Sequence, residues 1–192
     1  MYLHQELADA ATELAGLVGN VKPDQLAAST PCTGYDLRRL VNHLLYWSPI
    51  IESVGLYKSA TPDRPDDGSV DLSQGDWQSL YLDWLRRITA AWQPESAWDG
   101  SATVGGRTVP AAIIGEKTLV EMVVHGWDLA RATGQEFRCT TSAAEQTNRI
   151  VLDTAEETRS MGMFGPPVPV ADSASALHRA LGSSGRDPQW SV

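Results

Sequence analysis

Glu121 and His125 are the residues of this sequence whose types and spacing most directly suggest chemistry. They stand four positions apart in the segment 121–130, where most of the neighbouring residues are apolar. Positions four apart share one face of an α-helix, which has about 3.6 residues per turn. Because a buried carboxylate or imidazole without a partner is costly, this pair needs a compensating group.

His43 is a third group of this kind, in a second apolar segment that is predicted to be helical over residues 37–54. Two imidazoles and one carboxylate match a divalent-metal site that keeps positions open for water or substrate. The residues alone leave other interpretations open. His43 also fits a core histidine bonded to a carbonyl or carboxylate group. Glu121 and His125 also fit a metal-free bundle in which they hydrogen-bond to each other.

Several polar residues near these three have more than one interpretation. Asp128, one turn after His125, could orient a metal ligand or pair with Arg131. Cys32 could be a small buried hydrophobic residue or a group close to the metal. We expect His4 and His178, near the ends of the chain, to be solvated.

The three candidate ligands lie in elements that the apolar spacing predicts to be helices. Helical periodicity starts at Leu3 and ends near Gly19, and a short turn follows at 23–28. Further helices are predicted to start after capping residues at Thr33, Ser73 with Asp76, and Ser142. Pro49 should kink or break the helix that carries His43. The last three predicted helices cover 110–133, 142–160 and 175–181.

Gly105 and Gly106, between short β-branched runs, predict a β-hairpin. The whole is therefore expected to be mainly α: one domain over 1–192, built as a four-helix bundle with a short hairpin and extra C-terminal helices.

Composition excludes several function classes. The formal net charge is −9 and the acidic residues are scattered, which argues against nucleic acid or an anionic membrane surface as the main partner. No run approaches the roughly 18 apolar residues of a membrane span. The two cysteines form no disulfide framework and the start lacks the pattern of a signal peptide. We therefore expect a cytoplasmic protein, as a monomer or homodimer.

The segments 30–36, 40–44 and 121–134 resemble the mycothiol-dependent maleylpyruvate isomerase N-terminal domain family, which belongs to the DinB-like four-helix bundles. The segments 164–168 and 185–188 resemble the C-terminal signature of a short actinobacterial branch of that family. The resemblance implies a divalent metal, most often zinc and sometimes nickel, held by His43, Glu121 and His125. It also implies that a low-molecular-weight thiol such as mycothiol binds the metal.

The expected activity is therefore that of a metal-dependent thiol transferase or isomerase acting on an electrophilic small molecule. A non-catalytic module that binds a metal or a small ligand is the alternative. The isomerase of this family has a separate C-terminal domain, for which this chain is too short. We therefore do not expect maleylpyruvate itself to be the substrate.

Overall fold

Four long helices close into a ring in the computed structural model, which describes residues 2–62 and 66–191. They are α1 (His4–Gly19), α2 (Leu37–Tyr57), α3 (Trp77–Ala91) and α4 (Ala111–Thr133). Helix α4 packs on α1 and α2, and α3 packs on the same two helices from the other side. This arrangement is a four-helix bundle, and the predicted bundle is confirmed.

The centre of the bundle is filled by the apolar residues whose helical spacing predicted the helices. The largest fully buried side chains of these helices are Leu7, Leu14, Leu37, Leu40, Leu119 and Leu129. Helix α4 is buried around most of its circumference in its C-terminal half. Its few polar groups therefore lie inside the protein, where they need partners.

Two further helices extend the bundle at its C-terminal end, as predicted. Helix α5 (Thr141–Ser160) packs on α4 and α1, and α6 (Ala176–Ser183) packs on α5. The irregular residues after α6 then return to α4, where the Arg131 side chain donates a hydrogen bond to the carbonyl oxygen of Trp190 (2.9 Å). The C-terminal segment is thus fastened to the helix that carries Glu121 and His125.

A small sheet lies beside the bundle. Strands β2 (Ser101–Val104) and β3 (Arg107–Pro110) form the predicted antiparallel hairpin. Gly105 and Gly106 both have positive φ angles (55° and 82°), which this two-residue turn requires. Strand β1 (Ser59–Ala60), parallel to β2, was not predicted. Two residues are too few to show the alternation by which strands are recognised.

The helix starts differ from the prediction in two places. Asp36, not Thr33, caps α2, because its carboxylate accepts the Arg39 amide hydrogen bond at 2.8 Å. Thr140, not Ser142, caps α5. Asp76 caps α3, in agreement with the prediction.

Pro49 does not break α2, which continues through it to Tyr57. The proline removes one backbone hydrogen bond, whereas buried residues on both sides, Leu45 and Ile50 among them, hold the helix against the core. Tertiary packing therefore outweighs the local preference.

Candidate metal centre

Glu121 and His125 lie on the inward face of α4, and His43 approaches them from α2. The Nε2 atoms of His43 and His125 are 3.1 and 3.3 Å from the same atom, Glu121 Oε2. The two imidazole rings are edge to face, with centroids 5.0 Å apart. His43 stands 78 positions before Glu121 and 82 before His125 in the sequence. The three side chains nevertheless meet at a single point, as the metal hypothesis requires.

The distances between these donor atoms match those expected around a zinc ion. With bonds of about 2.0–2.1 Å to nitrogen and oxygen, the edges of a tetrahedron are about 3.3 Å long. The two measured separations agree with that value, and one donor atom from each of the three residues lies within 4.8 Å of the other two. The donor set therefore fits a divalent metal with three protein ligands.

Each histidine has a carboxylate on its other ring nitrogen. His43 Nδ1 donates to Asp67 Oδ2 at 2.7 Å, and His125 Nδ1 donates to Asp128 Oδ2 at 2.9 Å. When the ring is neutral, a proton on Nδ1 leaves the Nε2 lone pair free to bind a metal. Outer carboxylates of this kind orient metal-ligating histidines and make them better ligands.

Asp128 resolves one of the alternatives that the sequence left open. It bonds to His125 rather than to Arg131, and its charge is balanced by Arg186, whose Nη2 lies 3.0 Å from Asp128 Oδ2. Asp128 is fully buried and Arg186 is 4% exposed. Neither Arg186 nor Asp67 was predicted from the sequence to be part of the site. Both lie outside the helices and strands, where the sequence has no periodic pattern, so no local signal marks them.

The charges of the site perturb its acid–base equilibria. Burial alone would raise the pKa of Glu121, but the neighbouring His125 and His43 hold that pKa well below its ordinary range. Burial likewise tends to lower the pKa of His43, whereas hydrogen bonds to Asp67 and Glu121 raise it to about 9. In the absence of metal, His43 is therefore held by ion pairs with Asp67 and Glu121.

Cys32 lies close to the same histidine. Its Sγ, together with one donor atom each of His125 and Asp128, forms a second set within 4.8 Å. Burial raises the pKa of the Cys32 thiol to about 11, so the thiol is a poor ligand at neutral pH. Asp128 is already engaged by Arg186 and His125, so this second set does not fit a metal.

A cavity of about 20 Å³ adjoins two of the three donor residues, His43 and Glu121, and has room for about one water molecule. His43, Trp47, Tyr81 and Glu121 are among the side chains that line it. Trp47 thus lies beside His43 and Glu121 in the wall of this cavity.

The two other histidines lie apart from the site. His178 is exposed, as predicted. The prediction that His4 is solvated is wrong: its ring stacks on Tyr2 with centroids 5.6 Å apart, packs against Trp98, and is only partly exposed.

Fold and site together define a helical bundle with a histidine–carboxylate centre between two of its helices. Residues 7–130 match the family described as "Mycothiol maleylpyruvate isomerase N-terminal domain". This chain belongs to that family, and the predicted resemblance is confirmed.

Relatives and solved structures agree with this assignment. Uncharacterized proteins from two strains of Mycobacterium tuberculosis are each 32% identical over 136 residues, which is 69% of this chain. The aligned region spans 66% of each relative, slightly under two thirds of its length.

The crystal structure of the mycothiol-dependent maleylpyruvate isomerase superposes with a TM-score of 0.62 at 16% identity, and a mutant of that enzyme gives the same score at 15%. The helical-bundle fold is thereby confirmed. The superposition covers 100% of this chain and 82% of the isomerase. About a fifth of the isomerase therefore lies outside the superposition.

Within residues 2–62 and 66–191, no helix combines the length and the apolar character needed to cross a membrane.

Proposed function

We propose that this protein is a metal-dependent thiol transferase or isomerase whose metal is bound by His43, Glu121 and His125. The observation that carries the proposal is the convergence of two histidine nitrogens on one carboxylate oxygen, at 3.1 and 3.3 Å. Zinc is the expected metal, with nickel as the second choice, because imidazole and carboxylate ligands suit both. Mycothiol is the expected co-substrate, since the solved isomerase with this fold depends on it.

The protein residues have separate tasks in this proposal. Glu121 supplies the negative charge at the centre, and the two histidines supply neutral nitrogen donors. Asp67 and Asp128 keep the proton of each ring on Nδ1, so that Nε2 points to the centre. A bound divalent metal would supply Lewis acidity, which lowers the pKa of a thiol or water that binds it.

The lining of the cavity limits what can approach. Trp47 and Ile51 are apolar, whereas Ser48 and Thr118 each donate their hydroxyl to a backbone carbonyl of their own helix. These hydroxyls are therefore engaged and contribute little to polar recognition. The adjoining face suits the apolar part of an electrophilic substrate better than a strongly hydrated group.

Metal content tests the proposal directly. We expect purified protein to contain about one zinc or nickel ion per chain, or to bind one on addition, measured by inductively coupled plasma mass spectrometry after gel filtration. His43→Ala and His125→Gln should lose this ion. His178→Ala is the matched control, because it removes an exposed histidine outside the site. A folded parent protein that binds neither metal would overturn the proposal and favour the metal-free bundle.

A non-catalytic metal- or ligand-binding module is the second candidate. The observation in its favour is the small cavity, which has room for about one water molecule and not for a thiol of the size of mycothiol. An assay of thiol transfer from mycothiol to a panel of electrophiles separates the two. Turnover that disappears in His43→Ala supports the enzyme, whereas metal binding without turnover on any substrate supports the module.

The remaining expectations belong to the same proposal. We propose that residues 1–192 form one domain, as a monomer or homodimer. Cys32 and Cys139 are both free thiols, which is compatible with the reducing cytoplasm that we propose as its location.

A further inference from the structure

Arg186 is a buried arginine in the irregular segment that follows α6. Its Nη2 and Nε face the two carboxylate oxygens of Asp128, at 3.0 and 3.4 Å, and its Nη1 donates to the Ser184 carbonyl oxygen at 3.0 Å. All three guanidinium nitrogens therefore donate hydrogen bonds, two of them to Asp128 and one to Ser184. An arginine is rarely buried unless its charge is paired, and here the partner is Asp128.

The same oxygen of Asp128 serves both the arginine and the histidine. Oδ2 accepts from Arg186 Nη2 at 3.0 Å and from His125 Nδ1 at 2.9 Å. A carboxylate held by a planar arginine fork has a defined orientation. The direction of the His125 ring, and hence of its Nε2, is therefore determined by a contact with a segment 58 residues further along the chain.

Close backbone packing and hydrogen bonds hold the C-terminal segment where Arg186 reaches Asp128. Gly185 has a φ of +87°, and a Cβ atom there would come within 2.8 Å of the Gly165 Cα. Arg159 of α5 donates to the carbonyl oxygens of Gly165 and Ser183, at 3.0 and 2.9 Å. The irregular segments that contain Gly165 and Gly185 are therefore in close contact immediately before Arg186.

We propose that Arg186 is a positioning residue of the metal centre, which acts through Asp128 to hold His125 in its metal-binding orientation. The inference rests on the proposed function, because it assigns a role toward the metal bound by His43, Glu121 and His125. It makes the C-terminal segment part of the site, although none of the residues described there, up to Ser191, hydrogen-bonds to His43, Glu121 or His125. The C-terminal segment and the metal should then stabilise each other.

The test compares Arg186→Met with Arg131→Met. Both variants remove a guanidinium that ties the C-terminal segment to α4, but Arg131 contacts the Trp190 carbonyl oxygen and not Asp128. We expect zinc affinity, measured by competition with a chromophoric chelator, to fall about 10–100-fold in Arg186→Met, the usual range for outer-shell groups. Arg131→Met should stay within about threefold of the parent protein. Arg186→Lys should be intermediate, because an ammonium group restores the charge without the fork.

A spectroscopic readout separates positioning from general loosening and does not depend on the metal. In the metal-free parent, the Nδ1–H of His125 should give one sharp, exchange-protected ¹⁵N-edited NMR signal. This signal should broaden or disappear in Arg186→Met and persist in Arg131→Met. If Arg186→Met does not fold, Arg186→Lys provides both measurements.

The outcomes are distinct. Equal zinc affinity and an unchanged His125 signal in a folded Arg186 variant would overturn the inference, as would equal losses in Arg131→Met. A parent protein that binds no zinc or nickel overturns the proposed function instead, and the NMR comparison then decides whether Arg186 positions His125.

Discussion

The two histidines of the candidate centre make the same kinds of contact, but the aspartates that hold them lie in different surroundings. Each bonds through Nε2 to Glu121 and through Nδ1 to an aspartate, at 2.7 Å for Asp67 and 2.9 Å for Asp128. Asp67 lies in the connection between α2 and α3, is 17% exposed in its side chain, and has Tyr35 as a further partner. Asp128 lies on α4, has no exposed surface, and is paired with Arg186.

This difference separates two properties of the site, its metal affinity and its contribution to the stability of the fold. The Asp128 side is integrated into the core, so a defect there affects both the metal and the fold. The Asp67 side belongs to a surface connection, where contacts add little to global stability. We therefore expect substitutions on the two sides to differ in their effect on stability while resembling each other in their effect on metal affinity.

The largest effect is expected for Asp128→Ala, because it leaves the Arg186 guanidinium buried without its counter-charge. Removal of one partner of a buried pair costs about 3–5 kcal/mol in the free energy of unfolding. Urea denaturation of the metal-free protein measures it. Asp128→Asn is the control for shape, and the double variant Asp128→Asn with Arg186→Met should recover part of the loss. A loss below about 1 kcal/mol for Asp128→Ala would remove the distinction between the two sides.

Removal of the metal should have the next largest effect, because its ligands come from both sides. Zinc at 100 times its dissociation constant should stabilise the native state by about 2.7 kcal/mol. For a domain of this size, that corresponds to about 5–10 °C in melting temperature. Differential scanning fluorimetry with and without chelator measures the shift. The shift should be absent in His43→Ala and retained in His178→Ala, and equal melting temperatures in the parent protein would contradict the prediction.

Much of the fold could be predicted because its determinants are local. The apolar spacing of α1 and α4 and the αL glycine at Gly134 marked helices and an end that the structure confirms. The errors lie where a local signal competes with a distant one. Thr33 offered a plausible cap, but Asp36 makes the hydrogen bond. Pro49 offered a break, but packing of the helix on the core preserves it.

The residues of the site likewise divide into those that a local sequence signal marks and those that only the complete fold brings together. Glu121 and His125 could be paired from their helical spacing alone, and His43 joined them only as a hypothesis about two helices meeting. Arg186 and Asp67 could not be found, because their roles depend on where irregular segments return to the bundle. Spacing indicates which residues share a helix face, whereas contacts across 58 residues depend on the complete fold.

The third-largest effect is expected on the Asp67 side. Asp67→Ala should lower zinc affinity about 10-fold, because His43 loses the group that orients its ring. Its cost to the unfolding free energy of the metal-free protein should be about 1 kcal/mol or less, since the carboxylate is partly solvated. Chelator competition and urea denaturation on the same preparation give both values. Asp66→Ala is the matched control, as its carboxylate bonds only within its own turn among the described contacts. A stability loss as large as that of Asp128→Ala would show that the two sides are equivalent.

The smallest effect is expected for Tyr35→Phe, which removes only the hydroxyl that supports Asp67. The Tyr35 hydroxyl donates to Asp67 Oδ2 at 3.3 Å, a long hydrogen bond, and the same oxygen already accepts from His43 at 2.7 Å. Asp67 therefore keeps its stronger partner when the hydroxyl is lost, and zinc affinity should fall by no more than about threefold. The ring itself should remain in place, because it packs on His43 and beneath the Arg39 guanidinium. Chelator competition with Tyr35→Phe and Tyr35→Ala separates the hydroxyl from the ring. A loss for Tyr35→Phe as large as for Asp67→Ala would mean that the loop side is supported by a connected network, as the Asp128 side is.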